Sequence, residues 1–329
     1  MYTRLCRRAA TLLAIPLISL FATPAHAEWV FREDGIMGTR CAVELWSESP
    51  AQANLLIDHV FAEFRRIDRL MSTYKPTSQV SRVNALAAKQ RVKVAPELFD
   101  LLETALEYSR ISNGAFDITY ASVGYLYDFR AHVRPNAAQI AAALPGVNWR
   151  HLELRRADHS VHFQRPGMRI DLGGIGKGYA VDRGVAILQR AGIAHAMVNA
   201  GGDTRIIGDR RGKPWMVGIR DPNEREKVAL RLPLENTAIS TSGDYERFFD
   251  EGGVRYHHIL DPKTGDSARK MRSVSIIAAT ATRTDALTKM VFVTGPEAGI
   301  ALINKLDDVD AVVITNDGRV LYSNGLTAP

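Results

Sequence analysis

Little in the composition of this chain is extreme, and what it lacks excludes several classes of protein. Only two of the 329 residues are cysteines, Cys6 and Cys41, so no cysteine cluster exists for a zinc or iron–sulfur site. The formal net charge is only +6, and no basic run is interleaved with aromatic residues, which argues against a dedicated nucleic-acid binder. With 46% hydrophobic and 24% charged residues, the chain is neither disordered nor collagen-like. The composition predicts a globular protein that acts without nucleic acid.

Residues 1–27 have the three-part pattern of a secretory signal peptide. Three arginines are followed by an apolar stretch at 12–21 and by Ala25-His26-Ala27, a small-residue cleavage site. The stretch is far shorter than the ~20 residues that span a bilayer, Pro16 interrupts it, and no later segment is long and apolar enough. No cysteine stands where a lipoprotein signal would need one. We therefore expect cleavage after Ala27 and a mature chain without a transmembrane segment in the periplasm.

Helical and extended patterns are mixed along the mature chain. The clearest helix begins after Ser49 and carries apolar residues three or four positions apart up to Met71. Further helices are expected from Pro96, from Pro135, after the glycines at 173–178, at 284–293 and at 296–306; extended segments are expected at 28–48, 150–172, 196–199, 215–220, 228–233, 273–279 and 311–323. Because strands and helices do not alternate regularly, we predict an α+β fold. No internal repeat or domain boundary is visible, so residues 28–329 are treated as one large domain.

The glycine-rich segment 173–178 is the first candidate site. Its sequence is Gly-Gly-Ile-Gly-Lys-Gly, and it precedes a predicted helix. Backbone amides at a helix N-terminus bind phosphate, and Lys177 adds a positive charge. The spacing matches neither a Walker loop nor the dinucleotide fingerprint, so a tight turn without a ligand is the alternative. Asp171, just before the segment, could cap amides, hold a ribose hydroxyl or join a metal site.

Two adjacent histidines precede a predicted turn. His257 and His258 should point in opposite directions on a strand, so only one can face a given site. The turn that follows, Asp261 to Gly265, contains proline and glycine. One histidine is a candidate acid or base, and a solvated histidine near an exposed turn is the alternative.

Asp285 and Thr288 are candidate metal ligands. They lie one helical turn apart, on the same face of a predicted helix that starts at Thr284. A carboxylate, a hydroxyl and nearby carbonyl oxygens suit Mg²⁺. The alternative is that Thr284 or Asp285 merely stabilises the helix N-terminus. Ser242 lacks the G-x-S-x-G context of a hydrolase nucleophile, so serine-hydrolase chemistry is not expected.

Together these motifs resemble the ApbE family, the FAD:protein FMN transferases. The resemblance runs in order across most of the mature chain. It covers eight segments: Met37–Thr39, Met71–Tyr74, Asn113–Ile118, Asp171–Ala180, Asn199–Asp203, Ser240–Tyr245, His258–Gly265 and Thr284–Leu287. Each segment is weak alone, but their common order is specific.

The resemblance implies a function and a set of site residues. Members of the family use FAD as a substrate, cleave its pyrophosphate, pass the FMN half to a Ser or Thr hydroxyl of another protein and release AMP. The implied FAD contacts are Met37, Tyr74, Ala115, Phe116, Asp117, Asp171, Lys177 and Ile259. The implied Mg²⁺ ligands are Asp285, Thr288 in the following turn and the Gly174 carbonyl, and His258 matches the catalytic position. We expect a metal-assisted phosphoryl transfer with His258 as general base.

One position departs from the family pattern. The family often has Thr four residues after the metal-binding Asp, where this chain has Lys289; Thr288 stands one place earlier. Either Thr288 or a carbonyl completes the metal site, or the Lys289 ammonium replaces part of the metal charge.

The resemblance also implies a partner. Acceptors in the family are often subunits of membrane sodium-pumping or Rnf-type reductases that face the exported compartment, which agrees with the signal peptide. The alternatives are a Mg²⁺-dependent FAD pyrophosphatase, in which water replaces the acceptor, and a non-catalytic protein that stores FAD or matures an exported reductase.

Overall fold

The structure, a computed structural model, describes residues 27–224 and 226–326. The predicted signal peptide lies outside the described residues apart from Ala27, so the structure does not bear on it. Within the described ranges, no helix has the length and apolar character needed to cross a membrane.

The described chain contains both helices and strands. The helices are α1 Pro50–Met71, α2 Gln79–Leu86, α3 Pro96–Ile111, α4 Ala121–Gly124, α5 Ala137–Ala143, α6 Gly176–Arg190, α7 Ala281–Thr294 and α8 Pro296–Ile303. The strands are β1 Glu28–Ile36, β2 Thr39–Ser47, β3 Val92–Lys93, β4 Leu152–Arg155, β5 Ser160–Phe163, β6 Ala196–Ala200, β7 Asp203–Ile207, β8 Trp215–Arg220, β9 Val228–Leu234, β10 Ala238–Gly243, β11 Phe248–Glu251, β12 Val254–His257, β13 Ser273–Ala278, β14 Val309–Ile314 and β15 Val320–Tyr322.

An eight-stranded antiparallel sheet organises the fold, in the order β1-β2-β6-β7-β10-β13-β14-β15. Helices α1, α6 and α7 pack together against one face. The β8–β9 hairpin covers part of the other face, where Trp215 packs with Ile206 and Ile239. A long antiparallel sheet with helices on one face is an α+β architecture, as predicted.

Helix α1 follows the apolar pattern closely. Leu56, Val60, Phe64, Ile67 and Met71 are all buried. The Ser49 hydroxyl accepts a hydrogen bond from the Gln52 amide, which caps the helix as its sequence indicated. Burial of this stripe fixes α1 across the sheet and beside α6.

Three local predictions need correction. Helix α7 begins at Ala281 rather than Thr284, because the Asp182 carboxylate accepts hydrogen bonds from the Ala281 and Thr282 amides at 2.9 and 2.8 Å. The predicted extended segment at 150–172 has strands only up to Phe163, and beyond it the Ile170 backbone pairs with the side chain of Asn84 instead of a neighbouring strand. The predicted third helix is shorter, and begins only after its N-cap Asn136.

Candidate active site

The glycine-rich segment 173–178 forms a turn followed by the first residues of α6. The helix starts at Gly176, and the side chain of its N-cap, Ile175, makes no capping hydrogen bond. Gly178 lies directly against α7, because a Cβ atom there would come within 2.1 Å of the Ala281 carbonyl oxygen. Glycine is therefore required for the two helices to approach this closely.

Lys177 joins two acidic side chains at this junction. Its Nζ lies 2.8 Å from Asp203 Oδ2 and 3.5 Å from Asp285 Oδ2. Burial alone would lower the pKa of Lys177, but these two carboxylates outweigh it and raise the pKa. The ammonium therefore stays charged at the place where the sequence predicted a phosphate site.

Asp285 is fully buried, and both of its carboxylate oxygens are engaged. Oδ2 accepts a hydrogen bond of 3.0 Å from the Gly178 amide, in addition to the Lys177 contact. Oδ1 forms an ion pair with the Lys289 ammonium, one turn later on α7. Burial would raise the pKa of Asp285, but Lys177 and Lys289 outweigh it and hold the pKa below its usual value. Asp285 thus caps α6, a neighbouring helix, rather than its own.

Thr288 uses its hydroxyl group within the protein. It donates a hydrogen bond to the Asp285 carbonyl oxygen at 2.7 Å, and it accepts one from the Ser242 hydroxyl at 2.9 Å. The Lys289 ammonium donates a further bond to it at 3.1 Å. Strand β10 supplies a second such pair, Ser240 with Thr284 at 2.7 Å. Hydroxyl pairs therefore connect β10 to α7 beneath the site.

Asp171 orients the turn that precedes α6. Its Oδ1 accepts hydrogen bonds from the Gly173 amide at 2.6 Å and the Tyr120 hydroxyl at 3.2 Å. Its Oδ2 accepts one from the Thr73 hydroxyl at 2.7 Å. Of the three roles considered for Asp171, the structure therefore supplies the cap of a backbone amide.

Gly174 and Phe116 are neighbours. A Cβ atom on Gly174 would lie 3.3 Å from the Phe116 ring and 3.5 Å from the Lys289 side chain. Phe116 is buried, and its ring contacts Tyr108 edge-to-face. The turn thus packs between an aromatic ring and the Lys289 stem.

The two adjacent histidines have different surroundings, and only His257 belongs to β12, which ends there, so the prediction that both lie on a strand is wrong for His258. His257 is buried, with its Nε2 2.6 Å from the Ala268 carbonyl oxygen and its ring against Phe292. His258 Nδ1 is buried and has no hydrogen-bond partner among the described residues. Burial, with the nearby charges of Arg247, His257, Lys289 and Lys177, lowers the pKa of His258 to about 3. His258 is therefore a neutral imidazole near the two ammonium groups, whereas His257 belongs to the core.

Met37 lies in the two-residue turn between β1 and β2. It has a φ of +55°, a left-handed conformation that is uncommon for residues other than glycine. The following Gly38 has a φ of +69°, and its carbonyl oxygen accepts a 3.2 Å hydrogen bond from Arg247. The Arg247 carbonyl in turn accepts the His258 amide at 3.1 Å. Arg247 therefore ties the Met37 turn to His258.

The remaining FAD contacts implied by the resemblance are Tyr74, Ala115, Asp117 and Ile259. The Tyr74 side chain is 89% exposed, next to the residue that bonds Asp171. Ala115 is partly buried beside Phe116. The Asp117 carboxylate accepts bonds from Thr119 and from the Trp149 amide, so it is a structural cap here. Ile259 is a buried core residue that follows His258.

Sequence reasoning assigned no role to Asp203 or Arg247. Asp203 is 2% exposed, and burial and the Asp285 charge raise its pKa despite the Lys177 contact. A local pattern could have indicated Asp203, because it directly follows two glycines in Asn199-Ala-Gly-Gly-Asp203. Asn199 holds this turn by donating to the Gly201 carbonyl at 2.9 Å, and the turn brings Asp203 under Lys177. No comparable pattern pointed to Arg247.

Comparison with known proteins identifies the class. The model of the ApbE family matches residues 37–313. The chain is 35% identical over 315 residues to the FAD:protein FMN transferase of Treponema pallidum, covering 90% of this chain and 87% of that one. It is 30% identical over 293 residues to an FAD:protein FMN transferase of Klebsiella pneumoniae, covering 88% of this chain and 90% of the other.

Solved structures agree with the sequence relatives. The crystal structure of the ApbE protein from Thermotoga maritima superposes with a TM-score of 0.83 at 31% identity, covering 91% of this chain and 98% of that one. The flavin transferase ApbE from Vibrio cholerae gives 0.81 at 28% identity, with the same coverage. The chain belongs to the ApbE family, and the resemblance drawn from its motifs is confirmed.

Proposed function

We propose that this protein transfers the FMN half of FAD to a Ser or Thr hydroxyl of another protein and releases AMP. The names of its relatives, FAD:protein FMN transferases, support the use of FAD and of a protein acceptor. The observation that carries the proposal is the position of His258. It is a neutral imidazole because burial and nearby charges, including those of Lys177 and Lys289, lower its pKa, and Lys177 lies in the first turn of α6, which suits a pyrophosphate.

Each residue of the site has its own role in the proposed transfer. The start of α6 and the Lys177 ammonium bind the pyrophosphate and stabilise negative charge on its non-bridging oxygens and on the bridging oxygen that leaves with AMP. His258 accepts the proton of the acceptor hydroxyl as its oxygen forms a bond to the FMN phosphorus. The bond from that phosphorus to the bridging oxygen breaks, and AMP leaves with the electron pair. In sum, FAD and the acceptor alcohol give the phosphodiester and AMP. Holding both reactants in line lowers the entropic part of the barrier.

The predicted Mg²⁺ ligands fit a divalent cation poorly in this arrangement. Mg²⁺ takes oxygen ligands, but both Asp285 oxygens already face ammonium groups, and the Thr288 hydroxyl is engaged by three partners. Two unit charges 4 Å apart repel by about 4 kcal/mol near a protein surface, and a divalent ion doubles this. A Mg²⁺ on Asp285 would thus require Lys289 to move away. The Mg²⁺ site stays a prediction.

The acceptor and the compartment are part of the same proposal. The signal-peptide pattern at residues 1–27 favours export to the periplasm. An exported enzyme meets acceptor subunits of membrane or exported reductases on that side of the membrane. Fractionation of cells that express the full chain tests the location, and the mature protein should appear in the periplasmic fraction and start at Glu28. Retention of the whole chain in the cytoplasm would contradict it.

The function is tested with the mature protein, FAD and an acceptor domain from such a subunit. We expect in-gel flavin fluorescence on the acceptor and one AMP released for each flavin attached. An acceptor variant in which Ala replaces the modified Ser or Thr is the control and should show no flavin fluorescence. AMP and free FMN without a labelled acceptor would instead indicate an FAD pyrophosphatase. Intact bound FAD would indicate a storage protein.

A further inference from the structure

The side chain of Asp285 is engaged almost completely by groups of the protein itself. A carboxylate offers about four lone-pair positions. Gly178, Lys177 and Lys289 take three of them, and the carboxylate is 0% exposed. An incoming cation would have to displace the Lys289 ammonium from Oδ1 or compete with two donors at Oδ2.

Thr288 is engaged in the same way. A hydroxyl has one hydrogen to donate and two lone pairs to accept with. The hydrogen is directed to the Asp285 carbonyl, and the lone pairs receive bonds from Ser242 and from Lys289. The Lys289 ammonium therefore contacts both side chains that the sequence nominated as metal ligands.

The charges of the cluster are balanced by its own residues. Asp203 and Asp285 supply two negative charges, with side chains 2% and 0% exposed. Lys177 and Lys289 supply two positive charges, with side chains 22% and 18% exposed. Buried carboxylates require compensation, and here the second ammonium provides it.

The Lys289 side chain is also partly exposed. Its stem borders Gly174, in the turn that leads into α6. The charges of Lys289 and Lys177 both lower the pKa of His258. Lys289 thus borders the glycine turn and acts electrostatically on the proposed general base.

We propose that Lys289 takes the place of a divalent cation in this protein, so that Asp285 orients an ammonium instead of a metal and FMN transfer proceeds without Mg²⁺. This inference rests on the proposed function for its catalytic part, but its structural part concerns the Asp285 site alone. An ammonium can neutralise one charge of the pyrophosphate and donate hydrogen bonds to its oxygens. It adds no requirement for a free metal ion.

The structural part is tested by Mn²⁺ titration of the mature protein, following free Mn²⁺ by electron paramagnetic resonance. We expect the wild-type protein to leave Mn²⁺ free, with or without FAD once binding to FAD itself is subtracted. Lys289→Thr should tighten Mn²⁺ binding at least ~10-fold, a size typical of groups that border a metal ligand. Lys289→Arg keeps the charge and should behave like wild type. Lys305→Thr, on an exposed lysine, is the matched control.

The catalytic part is tested by comparing transfer in EDTA and in Mg²⁺. The wild-type rate should be the same in both. Lys289→Thr should lose about 10²-fold in EDTA, the usual cost of removing one electrostatic contact to a transition state, and should recover when Mg²⁺ is added. Wild-type protein that is inactive in EDTA and restored by Mg²⁺ would overturn the inference.

The two readouts separate the failure of this inference from that of the proposed function. If no acceptor is labelled under any condition, the proposed function fails, and the Mn²⁺ titration still decides whether Lys289 occupies the cation position. One-to-one binding of Mn²⁺ by the wild type, unchanged or weakened in Lys289→Thr, would overturn the role of Lys289 whatever the activity. If Lys289→Thr does not fold, the wild-type and Lys289→Arg titrations suffice.

Discussion

The Gly178 amide donates a 3.0 Å hydrogen bond to Asp285 Oδ2, which joins the start of α6 to the second turn of α7. The bond exists because the helices touch at a glycine, where a Cβ atom would lie 2.8 Å from Asp285 Cβ. This one contact places the acidic residue beside Lys177 and next to the glycine turn. The arrangement of the site depends on that close approach.

Replacing Gly178 should therefore separate the two helices. Gly178→Ala is expected to destabilise the fold by about 1–3 kcal/mol, the usual cost of overpacking, because the new methyl group meets the Ala281 carbonyl. It should also weaken FAD binding. Urea unfolding and FAD titration measure the two effects. Gly35→Ala is the matched control, since nothing lies within 4 Å of its Cβ position. Wild-type stability in Gly178→Ala would contradict the close approach.

The Lys177–Asp203 pair should be coupled energetically. Lys177→Met leaves two buried carboxylates with less compensation and is expected to cost about 3–5 kcal/mol of unfolding free energy. Adding Asp203→Asn removes one of those charges, so the double variant should regain part of the loss. Urea unfolding of the four proteins of this cycle gives the coupling energy directly. Strictly additive losses would show that the pair does not interact.

His258 should matter for transfer and not for FAD binding. His258→Gln is expected to lower the transfer rate by about 10²–10⁴-fold, the range for loss of a general base, with the FAD dissociation constant unchanged. Single-turnover transfer assays and FAD titration separate the two. His59→Gln, on the exposed side of α1, is the control and should leave both unchanged. A parallel fall in binding and transfer would assign His258 a structural role.

The low pKa of His258 predicts how stability and activity change with pH. Above pH 6.5 the histidine is neutral in both folded and unfolded chains; below it the unfolded chain binds a proton that the folded site excludes until about pH 3. At pH 5 this costs up to about 2 kcal/mol, at 1.36 kcal/mol per pKa unit. His258→Gln should lose less stability than wild type between pH 7 and 5 in urea unfolding. The wild-type kcat/KM should show no fall near pH 6.5, and a fall there would contradict the low pKa.

Asp171 should act through the turn that it holds. In Asp171→Asn, an uncharged amide replaces the carboxylate that accepts hydrogen bonds from Gly173, Tyr120 and Thr73. We expect FAD binding to weaken about 10-fold, or ~1.4 kcal/mol. Flavin fluorescence titration measures it. Asp221→Asn is the control, because Asp221 also caps backbone amides, at 2.7 and 3.2 Å, in another loop. Equal effects of the two substitutions would show that Asp171 has no special relation to FAD.

The sequence predicted well those elements whose packing appears as hydrophobic periodicity. Helix α1 could be placed to the residue because its buried stripe and its Ser49 cap are both local signals. Strand β10 could not, because Ala238-Ile-Ser-Thr-Ser-Gly243 buries hydroxyls against α7 instead of apolar side chains. The start of α7 was placed too late because its amides are capped by Asp182, 99 positions earlier in the chain.

The same distinction applies to the site. The glycine turn and the helix after it follow from local spacing, and the structure has both. The contact of Asp203 with Lys177 joins a hairpin to a helix and depends on the folded sheet. Lys289 stood out only as a departure from the family pattern, and its pairing with Asp285 appears in the folded helix.

The central claim is the transfer of FMN to a protein hydroxyl, and the mass of the acceptor tests it most directly. The mature protein is incubated with FAD and an acceptor domain, and the mass of the intact acceptor is measured by mass spectrometry. The account predicts an increase equal to FMN less one water, with an equal amount of AMP in solution. An acceptor of unchanged mass, while AMP and free FMN accumulate, would contradict it.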